Sequence, residues 1–210
     1  METIKNAFAW DNGGVWMWLI CVVSIACLAL LVERIYFIVF KFNTNARQLM
    51  EAVQRNIIQN NIDGAVKACN AASSSAVARV IKAGLGRADR TQLDIQNAIE
   101  EATLEVVPEV TRYLPTLASL ANIATLLGLL GTIIGLIDSF AALKDAAPDE
   151  RQEKLSSGIA IAMNTTAFGL MVAIPTLLVH TILSVLVKNI MDSIELCSTK
   201  VSNLLSQRAK

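Results

Sequence analysis

The sequence predicts an all-α integral membrane protein with three long transmembrane helices and a helical cytoplasmic region. Two observations carry this prediction. Of 210 residues, 54% are hydrophobic, 17% are charged and only 5% are aromatic, with a mean hydropathy of +0.51. A soluble domain usually carries about 25% charged residues. The charges also avoid three blocks: no Asp, Glu, Lys or Arg occurs at 12–32, 113–137 or 155–187. A helix rises about 1.5 Å per residue, so roughly 20 apolar residues cross a hydrocarbon core, and each block is long enough. The 18 basic and 18 acidic residues cancel, which excludes a nucleic-acid binder acting through bulk positive charge.

The chain opens with an outer segment, 1–14, and a first transmembrane helix, 15–40. The apolar stretch of that helix is longer than a signal-peptide core. Only Lys5 precedes it as a basic residue and no small-residue cleavage pattern follows, so it reads as an uncleaved anchor. Glu33 and Arg34 are expected at the inner interface with both side chains snorkelling.

The cytoplasmic helical region spans 41–115. It carries Lys41, Arg47, Arg55, Lys67, Arg79, Lys82, Arg87, Arg90 and Arg112, and the C-terminal tail carries Lys188, Lys200, Arg208 and Lys210. The positive-inside rule puts both in the cytoplasm and the N-terminus outside. Leu49, Val53, Ile57 and Ile58 recur at helical spacing, as do Val77, Val80, Ile81 and Leu85, after which Gly84 and Gly86 break the pattern. Thr91 and Asp94 suggest a capping box ahead of Ile95, Ile99, Ala102 and Val106. Glu100, Glu101, Glu105 and Glu109 read as a solvated face. Pro108 and Pro115 bound or kink the approach to the second transmembrane helix, 116–140. A short outer loop, 141–154, leads to the third, 155–187, with Pro175 as a hinge or kink. A C-terminal helix, 188–210, continues the stripe Ile190, Ile194, Cys197, Val201, Leu204.

The four cysteines, Cys21, Cys27, Cys69 and Cys197, lack metal-ligand spacing and read as small packing residues. No cofactor is expected. No nucleophile–base pair, metal cluster or phosphate loop is visible, so the chain is not expected to be an enzyme.

Two stripes carry the functional reading. Ala121, Thr125, Gly128, Thr132, Gly135, Ser139 and Ala142 share one face of the second span. Gly158, Ala162, Thr166, Gly169, Ala173, Thr176 and His180 share one face of the third. Small residues let helices approach closely in lipid, and Gly128, Gly131, Gly135, Gly158 and Gly169 suit that packing. Packing alone does not require Thr125, Thr132, Ser139, Thr166 and Thr176, nor Asn164 and Thr165 beside them. The two spans hold no Lys or Arg, and their one acid, Asp138, lies near the outer end of the second. An ion crossing there needs a carboxylate from another chain, with the stripes as a polar wall around it. His180 is either a relay or a hydrogen-bonded interfacial histidine.

The run Gly128-Leu129-Leu130-Gly131-Thr132-Ile133-Ile134-Gly135 resembles the second-span motif of the ExbB/TolQ/MotA proton-channel family. The run from Gly158 to Leu170, followed by Ala173-Ile174-Pro175, resembles its third-span motif. The resemblance implies a homopentameric ring in the lipid bilayer of the bacterial inner membrane, surrounding an ExbD/TolR/MotB-like single-span partner whose aspartate carries the ion. It implies a motor driven by proton motive force that energises transport, through a TonB-like protein, or envelope work. Family threonines near that aspartate correspond to Thr132 and Thr166. The chain departs from the family at Ile161, where ExbB and TolQ proteins commonly carry a glutamate. That departure leaves the ion open between proton and sodium, since Asn164, Thr165 and Thr166 offer oxygen ligands that suit a hard cation. The length of 210 residues suits an ExbB/TolQ-like subunit better than a flagellar MotA protein. The alternatives are a sodium-driven stator or a structural scaffold whose stripes only pack helices.

Overall fold

The computed structural model describes residues 14–42, 46–144 and 147–208. The N-terminal segment with Lys5, and Lys210, lie outside these residues. Among the described residues there are helices and turns and no strand: α1 (Gly14–Ile35), continued by a wider π-wound segment (Tyr36–Phe42), α2 (Ala46–Ile58), α3 (Ile62–Ala71), α4 (Ala76–Leu85), α5 (Gln92–Thr111), α6 (Leu114–Ala142) and α7 (Arg151–Arg208). Three stretches are long and apolar enough to cross a membrane: Val15–Val39, Gln92–Ala142 and Arg151–Gln207. The third span and the C-terminal helix are a single unbroken helix, α7, which runs through Pro175.

The chain divides into two compact units, Met1–Val32 with Tyr113–Thr181, and Glu33–Arg112 with Ile182–Lys210. In the first, α1 buries Met17, Ile20, Cys27 and Leu31, while Val22, Ile25, Leu28 and Val32 stay exposed. The facing helix α6 buries Leu114, Leu117, Ala121, Ala124, Gly128, Gly131 and Ser139. Large aliphatics, Leu126, Leu129, Ile133 and Ile137, point outward. This inversion, small residues inside and large ones outside, fits helices whose outer faces meet lipid.

In the second unit α4 packs against α3 and α5, and α2 against α3. Its core gathers Val53, Val80, Ile81, Leu85, Ile95, Ile99 and Val106, together with Leu183, Ile190, Ile194, Cys197, Val201 and Leu205 from the end of α7. Thr91 caps α5 in a complete capping box: its hydroxyl accepts from the Asp94 backbone at 3.2 Å, and the Asp94 carboxylate accepts from the Thr91 backbone at 3.2 Å. The Thr91 hydroxyl donating to the Asp94 carboxylate at 2.8 Å, and then the Thr91 backbone N–H, hold that carboxyl below the usual range.

Four local expectations change. Gly84 lies inside α4 rather than breaking it, because a side chain there would meet Ile99 Cγ1 at 2.7 Å. Ile58 is exposed, and Leu205 rather than Leu204 is buried. Arg34 does not snorkel: it is only 3% exposed and donates to the Glu109 backbone carbonyl at 3.3 Å, near the Glu33 carboxylate and over the Phe37 ring. That carbonyl sits in the last turn of α5, and the guanidinium donating to it helps cap the helix end. Beside it, Arg79 grips the Glu109 carboxylate at 2.6 and 3.2 Å.

Between α5 and α6, Tyr113 adopts φ 61°, which ends one helix. Pro115 stands in the first turn of the next, where a missing N–H costs nothing.

Candidate functional site

The site begins with five glycines where α6 crosses α7. A Cβ on Gly169 would stand 2.6 Å from the Ala124 carbonyl oxygen, and one on Gly128 would stand 3.1 Å from the Thr165 carbonyl. At Gly135 it would meet the Ala162 side chain at 2.9 Å, at Gly131 the Thr165 methyl, and at Gly158 the Ser139 hydroxyl. The two backbones touch because these side chains are missing.

That approach brings Thr132 and Thr166 together. The Thr132 hydroxyl lies 3.2 Å from the Gly128 carbonyl, 3.0 Å from the Ala162 carbonyl across the seam, and in direct hydrogen-bond contact with the Thr166 hydroxyl. Thr166 reaches the Gly128 carbonyl at 3.0 Å. Each hydroxyl has a single proton to give, so the pair donates two bonds among four close contacts. Oxygen lone pairs are left over for an added donor or a cation. Both threonines are half-buried at the edge of the seam, within reach of something outside the chain.

The other residues of the stripes part company. Thr125 is half-buried and donates to Ala121 at 3.3 Å. Thr165 and Thr176, only 4% and 2% exposed, return their protons to Ile161 and Val172 on their own helix. Ser139 is buried and donates to Gly135 at 2.6 Å. Each of these three is covered inside the unit. Asn164 does not join Thr166 either, because consecutive residues turn by about 100° on a helix and the two stand roughly 200° apart. His180 is half-buried and Pro175 is exposed.

Two parts of the site escaped the sequence reading. The Gly128 and Ala162 carbonyls leave no mark in residue type. At one end of the α6–α7 pair, a groove of about 790 Å³ is lined by Asp138, Ser139, Glu150, Glu153 and Lys154, with Ile161 among them. Glu150 and Lys154 pair there at 2.8 Å.

Outside the spans, burial pushes the Cys69 thiol up to about 11 and raises that of Cys197, so neither is a nucleophile at neutral pH. Among the described residues no group of acidic, His and Cys side chains could hold a metal ion.

Residues 72–196 match the MotA/TolQ/ExbB proton channel family. A putative biopolymer transport protein ExbB-like 3 of Synechocystis sp. is 30% identical, covering 74% of this chain and 73% of that protein. A putative biopolymer transport protein ExbB homolog of Methanothermobacter thermautotrophicus is 27% identical over 88% of this chain, which spans 65% of that relative's length. The Tol-Pal system protein TolQ of Haemophilus influenzae is 38% identical over 40% of this chain and 36% of its own. With three apolar spans, glycine-knit second and third helices and this family match over more than half its length, the chain is a multi-pass membrane protein of the MotA/TolQ/ExbB proton channel family.

Proposed function

We propose that this chain is the ring subunit of an ion-driven motor in the bacterial inner membrane. A homopentamer surrounds an ExbD/TolR/MotB-like single-span partner whose aspartate carries the ion. Ion flow energises transport, through a TonB-like protein, or envelope work. In this reading 1–14 and 141–154 face outward, and 41–115 and 188–210 face the cytoplasm.

One observation carries the reading: Thr132 and Thr166 form an oxygen cluster with surplus lone pairs at the edge of the seam, in spans whose middles contain no charged residue of their own. Such a wall suits a neighbour's carboxylate that alternates between protonated and ionised forms. An elementary charge crossing 100 mV releases about 2.3 kcal/mol, and a hydrogen bond nets about 1 kcal/mol. One ion therefore supplies enough to break and remake the contacts of one step. The same surplus of oxygens favours sodium as a second reading, because hard cations take hydroxyl and carbonyl ligands.

Thr132→Val and Thr166→Val are expected to lower ion flux through the ring–partner complex in liposomes at least tenfold, with folding and oligomer size unchanged. Variants that conduct normally leave the scaffold reading standing instead. Repeating the flux under a proton gradient alone and a sodium gradient alone identifies the ion.

A further inference from the structure

A second groove, of about 210 Å³, lies between α5 and the end of α7, both within the second unit. Gln96 and Glu100 line it from α5, and Ser198, Thr199, Ser202 and Asn203 from α7. A step of four residues keeps Gln96 with Glu100, Ser198 with Ser202 and Thr199 with Asn203 on one face of each helix. Ser198 and Ser202 are 8% and 7% exposed, and both hydroxyl oxygens are buried without a hydrogen-bond partner. Elsewhere on α7, Thr181, Ser193 and Thr199 return their protons to a carbonyl one turn back, the inexpensive solution for a helical hydroxyl. Buried polar groups are nearly always satisfied. Two orphan hydroxyls one turn apart on the wall of one groove point to a polar ligand.

The lining selects the ligand's chemistry. Glu100 gives the groove its only formal charge, and no Lys, Arg or His lines it. Glu100 makes no ion pair among the described residues. Gln96 and Asn203 add amide carbonyls. Thr199 gives its proton to Glu195 and keeps lone pairs on its oxygen. Hydroxyl, amide and carboxylate oxygens are the ligands of hard cations. One carboxylate balances one positive charge. Divalent cages draw on several carboxylates, and no group of three acidic, His or Cys side chains able to hold a metal ion occurs among the described residues. Water alone would satisfy the two hydroxyls; the surplus of oxygens and the single negative charge favour a cation. At about 30 Å³ per water, the volume takes one ion with a few waters of its shell.

We propose that the groove binds a monovalent hard cation, sodium or potassium, through Glu100 and the Ser198 and Ser202 hydroxyls, with the Gln96 and Asn203 carbonyls as further ligands. The site lies within one copy of the chain and does not depend on the ring. α5 leads through Tyr113 into α6, and α7 is continuous with the third span. The ion therefore ties together the two helices that lead into the glycine-knit pair.

The test is the melting temperature of the full chain in nonionic detergent, in sodium, potassium and N-methylglucamine chlorides at one ionic strength, so that screening is constant. A ligand that binds only the folded chain raises that temperature, and a rise of about 2–4 °C over N-methylglucamine is expected in sodium or potassium. The salt with the larger rise identifies the ion. Glu100→Gln, and Ser198→Ala with Ser202→Ala, are expected to lose the rise, whereas Glu101→Gln, outside the groove, keeps it. In N-methylglucamine the serine double variant should melt no lower than the parent chain, because the hydroxyls it removes have no partner there. Thallium(I), a potassium surrogate, should show a broadened magnetic resonance line with the parent chain and a sharp one with Glu100→Gln. Equal melting in all three salts, or a rise that survives in both groove variants, overturns the site and leaves the groove to ordered water. A rise in magnesium chloride alone overturns the monovalent assignment.

Discussion

Thr132 and Thr165 look interchangeable in sequence, yet their hydroxyls do different things. Thr132 bonds across the seam to Ala162 and Thr166, whereas Thr165 bonds only to Ile161 on its own helix, under the cover of the unit. Valine keeps the shape of threonine and removes the hydroxyl. At Thr165 and Thr176 the bond lost along the helix is local and the freed carbonyl keeps its helical N–H, although Thr176 also meets the Cys27 thiol. Thr165→Val and Thr176→Val should therefore retain most of the flux of the ring–partner complex, within about twofold. A tenfold loss at either position would show that buried hydroxyls also serve the ion path, against the division drawn at the seam's edge. Sequence periodicity found the two faces but not this division. Residues one apart on a helix differ by about 100°, and only the crossing helix decides which of them is covered.

At the scale of elements, the glycines sort by what a methyl group would strike. At Gly169 it meets the Ala124 backbone oxygen, which cannot rotate away. At Gly86 it meets only the Ala83 and Lys82 carbonyls at 3.5 Å, and φ is −65°, a conformation alanine adopts freely. Gly169→Ala should destabilise the detergent-solubilised chain by about 1–3 kcal/mol through overpacking. Gly86→Ala should stabilise it by about 0.4–1 kcal/mol by restricting the unfolded chain. Thermal melts that order the two variants the other way would refute the close crossing.

The two arginines at the end of α5 separate in the same manner. Arg79 and Glu109 are both more than a third exposed, so Arg79→Ala should cost under about 1 kcal/mol. Arg34 is buried and caps a carbonyl, and Arg34→Ala should cost about 1.5–3 kcal/mol. Equal losses in the same melts would mean that the buried cap contributes no more than a surface pair. The capping box at Thr91 was legible in four consecutive residues. The Arg34 cap was not, because it joins groups 75 positions apart.

For the whole molecule, the blocks without charge gave the three spans directly, since length and hydropathy are one-dimensional. They do not reveal where α7 ends: the same helix continues far beyond the charge-free block to Arg208, on an amphipathic stripe that packs in the second unit. Placing charge outside the middles of α6 and α7 has a functional consequence. A proton or sodium ion needs a titratable or anionic stop within the hydrocarbon layer, and apart from Asp138 and His180 these spans provide only uncharged hydroxyls, amides and carbonyls. On the proposed reading, a ring without its partner is expected to be closed. Reconstituted without a partner, the chain should pass no more ions than empty liposomes under a 100 mV potential. Adding a single-span helix with one aspartate at membrane depth should open flux, and the same helix with asparagine in its place should not. If the chain alone conducts above the empty-vesicle baseline, the ion finds its stops within the chain itself, with Asp138 or His180 as the first residues to substitute.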